Sequence, residues 1–200
     1  IAAVTARAKD DTAFEGAGGT RSGRGADWGT AVHTAIEAAG RGASGETLRA
    51  VCRAALIENG RPVDARGEPT ELDELVALVE GLGRSPLWAR AQRAGRQLLE
   101  VPFCVAFDPA EAEALGLVEA DASGRTEVVE GIIDLAFRED DGAWVICDFK
   151  SDDIANAPSA RLEQYRRQVD LYAACWMRMT GEPVKERVLF FTHDGREVTW

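Results

Sequence analysis

The spacing of hydrophobic positions changes about halfway along this chain of 200 residues. Between residues 28 and 95, apolar side chains recur every three or four positions, which predicts four helices, at 28–39, at 45–58, from 70 onward and from 86 to about 95. From residue 98 the period becomes two, which predicts strands at 98–107, 128–137 and 143–150. A long amphipathic helix at 159–180, a strand at 187–192 and a short final strand complete one α/β domain over residues 1–200.

Capping residues indicate where several of these helices begin and end. Asp27 is predicted as the N-cap of the first helix and Gly40 as its end, while Thr70 opens a capping-box pattern for the third. Ser85 followed by Pro86 is typical of an N-cap and a first helical residue, here for the fourth helix. The acidic, alanine-rich segment between the first two strands predicts a short helix or a long loop.

The segment from Gly131 to Lys150 predicts a β-hairpin, because two apolar runs flank an Asp-Gly turn. Folding it about Asp141 places Asp134 opposite Asp148, with Cβ atoms about 5 Å apart. Apolar neighbours on both faces indicate central strands and buried carboxylates. Buried like charges need a compensating partner, for which a divalent cation is suited, so the hairpin predicts a metal site.

Charge is unevenly distributed along the chain. The formal net charge is −11, which by itself argues against a polyanionic partner. However, residues 100–153 hold 15 acidic and 3 basic side chains, so the acidity is concentrated around the predicted metal hairpin. Only 3 lysines occur beside 20 arginines. Lys150 lies two residues after Asp148 on the same strand face, where a compact ammonium can contact a water or a phosphate oxygen. A structural Asp148–Lys150 ion pair is the alternative interpretation.

The four cysteines, Cys52, Cys104, Cys147 and Cys175, are widely spaced and predict buried free thiols in a reducing, cytoplasmic setting. No apolar run reaches membrane-spanning length, so no membrane association is expected. Because the chain begins at Ile1, we expect it to be a domain cut from a longer protein. Residues 1–27 are expected to be flexible, and their glycine-rich segment is more typical of a surface loop than of a phosphate cradle.

Other polar residues are weaker candidates when each is taken alone. His33 lies at the edge of the apolar stripe of the first helix, where a histidine is more often packed or solvated than a ligand. Glu100 opens the first predicted strand, where a glutamate is commonly exposed. Gln168 and Tyr172 lie four residues apart on one face of the long helix, and Tyr172 is most simply a core residue whose hydroxyl needs a partner.

Taken together and in order, five short motifs resemble those of RecB-family nucleases, members of the PD-(D/E)xK superfamily. They are Gly29-x-x-x-His33, Glu100-Val-Pro-Phe103, Gly131-Ile-Ile-Asp134, Asp148-Phe-Lys150 and Gln168-x-x-x-Tyr172. The resemblance covers residues 28–192 and is strongest to the C-terminal nuclease domains of the AddAB and RecBCD helicase–nucleases. It implies a restriction-endonuclease-like fold, with a central mixed sheet flanked by helices, and exonuclease-type hydrolysis of DNA with bound Mg²⁺ or Mn²⁺.

Carried over residue by residue, the resemblance implies His33, Asp134, Asp148 and the backbone carbonyl of Phe149 as metal ligands. It implies that Lys150 orients the attacking water and stabilises developing charge. The same resemblance makes Glu100 an auxiliary acidic residue, and Gln168 and Tyr172 supports of the site or contacts to DNA.

The partners that the resemblance implies are DNA and a helicase, either a domain or a separate subunit, in double-strand-break repair. Candidates for phosphate contacts are arginines of the long helix and of the glycine-rich segment, namely Arg161, Arg166, Arg167, Arg178, Arg21 and Arg24. A catalytically silent domain that binds DNA or scaffolds a helicase is the alternative hypothesis. The paired carboxylates of the hairpin argue against it.

Overall fold

The computed structural model describes residues 5–7, 25–117, 126–152 and 159–200. The helices are α1 (Ala26–Gly40), α2 (Gly45–Glu58), α3 (Leu72–Gly83), α4 (Pro86–Arg93), α5 (Pro109–Ala114) and α6 (Ser159–Thr180). The strands are β1 (Thr5–Arg7), β2 (Arg96–Phe107), β3 (Glu127–Arg138), β4 (Trp144–Lys150), β5 (Val184–Phe191) and β6 (Arg196–Thr199). The sequence pattern did not predict β1. Arg21, Arg24 and most of the glycine-rich segment lie outside the described residues.

The strands form a mixed sheet, as expected from the resemblance. Its order is β1-β3-β4-β5-β6, with β2 also paired to β3. The pairs β2–β3, β3–β4 and β5–β6 are antiparallel, whereas β1–β3 and β4–β5 are parallel. The parallel β4–β5 pair is connected through α6, since parallel neighbours need a long crossover. Strands β3 and β4 are therefore central, as the apolar neighbours of Asp134 and Asp148 predicted.

One edge of β3 is shared by two short partners. Strand β2 pairs with β3 over its full length, from Glu127 to Arg138. On the opposite edge, β1 pairs at 128–130 and β4 at 135–138. Residues 131–134 of β3 therefore have no strand partner on this edge among the described residues. This opening between β1 and β4 lies at the centre of the sheet, and the buried Asp134 is at its end next to β4.

Helices cover both faces of the sheet. One apolar core joins α1–α4 to residues of β3, β4 and β5 such as Leu135, Cys147 and Val188. A second core joins α6 to the other face through residues such as Ile133, Ile146 and Leu189. The alternation of faces along each strand distributes its side chains between the two cores. No helix in the described ranges is long and apolar enough to cross a membrane.

The helix boundaries agree with the predicted periodicity, but two predicted caps are wrong. Helix α1 begins at Ala26 after Gly25, and Asp27 lies in its first turn, where a carboxylate still favours the helix N-terminus. Helix α3 begins at Leu72, and the Thr70 hydroxyl donates to the Pro62 carbonyl instead of capping it. Ser85 caps α4 as predicted, accepting a hydrogen bond from the Trp88 N–H.

The acidic segment after β2 forms the short helix α5, one of the two alternatives predicted. A capping box starts it: Asp108 accepts from the N–H of Glu111, whose own carboxylate accepts from the N–H of Asp108. Cys104 corrects another prediction, because it is exposed, whereas the free thiols of Cys52, Cys147 and Cys175 are buried. In β2 it is Phe103 and Val105 that face the core, so the alternation turns Cys104 outward.

Candidate functional site

The β3–β4 hairpin has the predicted register. Its observed pairs run from Arg138 with Trp144 to Leu135 with Cys147, and the next position in this register holds Asp134 and Asp148. Gly142, at a φ of 83°, allows the turn, and the N–H of Ala143 donates to the Asp141 carboxylate. The turn therefore sets which two aspartates meet at the far end of the hairpin.

Asp134 occupies the place where the β3–β4 ladder ends. The backbone N–H of Phe149 donates a 2.8 Å hydrogen bond to Asp134 Oδ2, a side-chain oxygen. A carboxylate thus replaces the backbone acceptor that would continue the ladder, and a buried N–H stays satisfied at the opening in the sheet. The carboxylate of Asp134 consequently lies between the strands, close to the main chain that follows Asp148.

Glu100 lies opposite Asp134 on the other neighbouring strand. The register of β2 with β3 places positions 100 and 134 between two observed pairs, Leu99 with Leu135 and Val101 with Ile133. Glu100, Asp134 and Asp148 therefore occupy one row across β2, β3 and β4. Glu100 lies inside β2, whereas the sequence pattern placed it at the start of the strand.

The backbone of β2 changes face at Glu100. This residue has a φ of 49°, and among the described residues it is the only non-glycine residue with positive φ. Leu99 before it packs on the α1–α4 side of the sheet, whereas Val101 after it packs on the α6 side. A left-handed residue other than glycine costs on the order of 1–3 kcal/mol and is typical of functional sites. The strained backbone therefore occurs at the residue whose carboxylate lies in the candidate site.

His33 approaches this row from α1. Its Nδ1 lies 3.3 Å from Asp134 Oδ1 and 3.6 Å from Glu100 Oε1. The candidate ligand atoms of the three residues all lie within 4.8 Å of one another. Gly29, one turn earlier on α1, faces the end of β4, since a Cβ there would lie 3.6 Å from Ser151 Oγ. His33 is therefore part of the cluster, whereas its position in the sequence favoured a packed or surface histidine.

Burial gives the aspartates unusual electrostatics. Asp134 is 2% exposed and Asp148 is 3% exposed. Burial raises the pKa of Asp148 to about 6, and the charge of Asp134 also acts to raise it, while Lys150 and His33 act in the opposite direction. Two carboxylates kept out of water in one row favour a bound cation, because it compensates both charges at once.

Lys150 connects the row to α6. Its Nζ lies 3.1 Å from Asp148 Oδ2 and donates a 2.8 Å hydrogen bond to Gln168 Oε1. Gln168 Nε2 in turn donates to the Tyr172 hydroxyl at 3.1 Å. The ring of Tyr172 is buried and meets the ring of Phe103 edge to face. The structure therefore brings together Asp148, Lys150, Gln168 and Tyr172 as the motif order suggested.

Tyr165 is a neighbour of the site that sequence reasoning assigned only to the apolar stripe. Lys150 Nζ lies 4.6 Å from the centre of its ring, and its hydroxyl donates to Asp152. The spacing of Tyr165, Gln168 and Tyr172 along α6, three and then four residues, puts all three on one helix face. That spacing is the sequence signal that identifies Tyr165 once Lys150 is placed next to Gln168.

The candidate phosphate-contacting arginines differ in their surroundings. Arg161 lies 3.8 Å from Asp152, and Arg178 forms a 2.9 Å ion pair with Glu111. The other two are Arg166, which packs over the ring of Trp200, and Arg167, which is exposed beside Gln168. Contact of these side chains with DNA stays a prediction.

The donor atoms suit a hard divalent cation. They comprise carboxylate oxygens and one imidazole nitrogen, a set that Mg²⁺ and Mn²⁺ accept and that lacks thiolate. The backbone carbonyl of Phe149, which the resemblance implied as a further ligand, stays a prediction. The Lys150 carbonyl accepts from the Thr192 N–H on the β5 side, so the carbonyl of the preceding residue points the opposite way, towards Asp134. The residues present therefore fit the cation that the hairpin predicted.

The mixed sheet, the row of carboxylates and the adjacent lysine are the features that the resemblance to PD-(D/E)xK nucleases implied. Residues 12–199 match the sequence profile of the PD-(D/E)XK nuclease superfamily, and the chain belongs to this superfamily. The expected restriction-endonuclease-like fold is thereby confirmed.

Its relatives include proteins named as subunits of an ATP-dependent helicase/nuclease. The one from Carboxydothermus hydrogenoformans is 31% identical over 82% of this chain and 13% of its own length. That from Heliobacterium modesticaldum is 34% identical over 57% of this chain and 8% of its own length. That from Desulforudis audaxviator is 39% identical over 58% of this chain and 9% of its own length. The chain thus spans a small part of these relatives.

Proposed function

We propose that this domain is a metal-dependent deoxyribonuclease that hydrolyses phosphodiester bonds in the manner of an exonuclease. The observation that carries the proposal is the row of Glu100, Asp134 and Asp148 across three strands, with His33 on one side and Lys150 on the other. Buried carboxylates beside an imidazole and an ammonium are costly to a fold that does not use them. Membership of the nuclease superfamily supports the same function.

The residues that would hold Mg²⁺ or Mn²⁺ are His33, Asp134, Asp148 and the backbone carbonyl of Phe149. Glu100 lies close enough to His33 and Asp134 to serve directly or through a bound water. When bound, such a cation lowers the pKa of a coordinated water and neutralises charge on the scissile phosphate. The negative charge concentrated around the hairpin would otherwise repel DNA.

Lys150 is the side chain through which the protein itself would provide positive charge at the site. Hydrolysis forms a bond from a water oxygen to phosphorus and breaks a phosphorus–oxygen ester bond, after which the departing oxygen takes up a proton. The ammonium of Lys150 can donate to the attacking water or to a phosphate oxygen while Asp148 and Gln168 hold it at 3.1 and 2.8 Å. Tyr172, at the end of the chain of hydrogen bonds, keeps Gln168 oriented towards Lys150.

The parent protein that we propose is a helicase–nuclease acting in double-strand-break repair, in which residues 1–200 form one nuclease domain. The support is similarity to helicase/nuclease subunits that are many times longer than this chain. Its partners would then be DNA and a helicase domain or subunit. Arg161 and Arg167, both exposed on α6, are candidates for contacts with a DNA backbone.

Degradation of linear DNA by the purified domain tests the enzymatic proposal. The wild type is compared with Asp148→Ala and with Asp141→Asn, in Mg²⁺, in Mn²⁺ and in EDTA. Asp141 is a matched control, because it lies on the same hairpin but at its exposed turn, where it pairs with Lys185. We expect cleavage by the wild type and Asp141→Asn only with metal, and at least about a hundredfold less by Asp148→Ala. Equal cleavage by all three, or cleavage in EDTA, would refute the proposal.

A further inference from the structure

Tyr165 contacts the ammonium of Lys150 with the face of its ring. Lys150 Nζ has a carboxylate oxygen of Asp148 at 3.1 Å and an amide oxygen of Gln168 at 2.8 Å. The centre of the Tyr165 ring lies 4.6 Å from the same nitrogen, within the range in which the face of an aromatic ring attracts a cation. Three different groups thus determine where this charge lies.

The ring of Tyr165 is itself held in place from two directions. Tyr165 is 8% exposed and packs against the ring of Phe191 with centroids 6.5 Å apart. At its other end, the hydroxyl donates to the carboxylate of Asp152, two residues after Lys150. Asp152 also lies 3.8 Å from Arg161 on the first turn of α6. Because the ring is fixed at both ends, it can restrict the movement of the flexible Lys150 side chain.

We propose that Tyr165 is a positioning residue: it holds the ammonium of Lys150 above its ring, at the position from which the ammonium can donate to water or a phosphate oxygen. The inference rests on the proposed nuclease function. A lysine side chain has four rotatable bonds, and contacts with Asp148 and Gln168 alone leave the ammonium more freedom to move than contacts with three groups do. The ring removes this freedom without neutralising the charge, so the ammonium stays able to donate to water or phosphate.

Substitutions of Tyr165 separate its ring from its hydroxyl and from core packing. Tyr165→Phe keeps the ring and loses the contact with Asp152, Tyr165→Trp keeps an aromatic face, and Tyr165→Leu removes the ring. Val169→Ala is the control for packing, because Val169 is buried on the same stripe of α6. We expect kcat for DNA cleavage to fall about tenfold in Tyr165→Leu. The KM of Tyr165→Leu for DNA should be unchanged. In Tyr165→Phe and Tyr165→Trp, kcat should be within about threefold of the wild type. Val169→Ala should lose only thermal stability.

Nuclear magnetic resonance observes the contact independently of activity. The chain has only 3 lysines, Lys9, Lys150 and Lys185, so protein labelled with ¹³C at lysine Cε gives few signals, and Lys150→Arg identifies the one from Lys150. A ring face at 4.6 Å should shift the Lys150 ε-protons upfield, and the shift should persist in Tyr165→Phe and vanish in Tyr165→Leu.

The outcomes separate the two proposals. A Lys150 signal without a ring-dependent shift overturns the inference, and so does an unchanged kcat in Tyr165→Leu when the shift is lost. Equal loss of kcat in Tyr165→Leu and Val169→Ala would reduce Tyr165 to a packing residue. If the wild type cleaves no DNA with Mg²⁺ or Mn²⁺, the nuclease function fails, while the spectra still decide whether Tyr165 holds the ammonium.

Discussion

The carboxylate of Asp134 accepts a 2.8 Å hydrogen bond from the backbone N–H of Phe149, the residue that follows its cross-strand partner Asp148. Asp134 therefore has two separable roles, as a charge for a cation and as an acceptor that closes the end of the β3–β4 ladder. Variants that remove one role or both can distinguish them.

Asp134→Asn should keep the acceptor and lose the charge, whereas Asp134→Ala loses both. We expect metal-dependent cleavage to be lost in each variant. In EDTA, the free energy of unfolding of Asp134→Ala should be lower than that of Asp134→Asn by about 1–3 kcal/mol, because the buried N–H of Phe149 is left without its partner. Urea denaturation measures this difference, and equal stabilities would contradict the structural role of the carboxylate.

The pKa of Asp148, which burial raises to about 6, predicts a pH dependence of stability in the metal-free protein. Its ordinary value in the unfolded chain is near 3.8, so the folded state binds the proton more tightly. The resulting stability is present below pH 4 and is lost as the pH rises through about 6, by roughly 1.4 kcal/mol for each unit of pKa shift. Asp148→Asn should not show this loss.

The measurement compares the unfolding free energy of the wild type and of Asp148→Asn in EDTA from pH 4 to pH 8. The advantage of Asp148→Asn should grow up to about pH 6 and then level off. Asp141→Asn is the control, because Lys185 lowers the pKa of Asp141 and the difference of this variant from the wild type should stay almost constant over most of this pH range. A constant difference between Asp148→Asn and the wild type would show that Asp148 is not perturbed by burial.

The left-handed backbone of Glu100 predicts that glycine at this position is more stable than alanine, although both substitutions remove the carboxylate from the site. Glu100→Gly and Glu100→Ala both remove the carboxylate, but only glycine adopts a φ of 49° without cost. We expect Glu100→Gly to be more stable than Glu100→Ala by about 1 kcal/mol, and both to cleave DNA more slowly than the wild type. At Gln97, an ordinary position of the same strand, the order of glycine and alanine should reverse. Thermal unfolding of the four variants checks both orders.

The two histidines of the chain provide a matched pair for metal binding. His33 lies in the cluster with Glu100 and Asp134, whereas His193 is exposed beyond β5. Isothermal titration with Mn²⁺ should show an affinity at least about tenfold weaker for His33→Ala and unchanged for His193→Ala. Unchanged affinity in His33→Ala would remove His33 from the set of ligands without affecting the assignment of the aspartates.

The sequence alone determined the hairpin and therefore the opposed aspartates. Continuous apolar runs identify β3 and β4 as central strands, and the Asp141–Gly142 turn sets their register, so the position of Asp134 relative to Asp148 depends only on contacts close in sequence. The long helix was equally predictable, because one apolar stripe placed Gln168 and Tyr172 on the same face. These features are local, and each follows from the period of its own segment.

Tertiary structure decided which distant residues join them. His33 precedes Asp134 by 101 residues, and only the packing of α1 on the sheet brings its imidazole within 3.3 Å of that carboxylate. The left-handed backbone of Glu100 has no signal in the sequence, because glycine, not glutamate, is the usual residue at such an angle. The place of Tyr165 beside Lys150 also required the structure, since the apolar stripe predicts only a core residue and does not indicate which cation lies over its ring. Periodicity specifies elements and faces, whereas the site depends on contacts between elements, which only the packed chain determines.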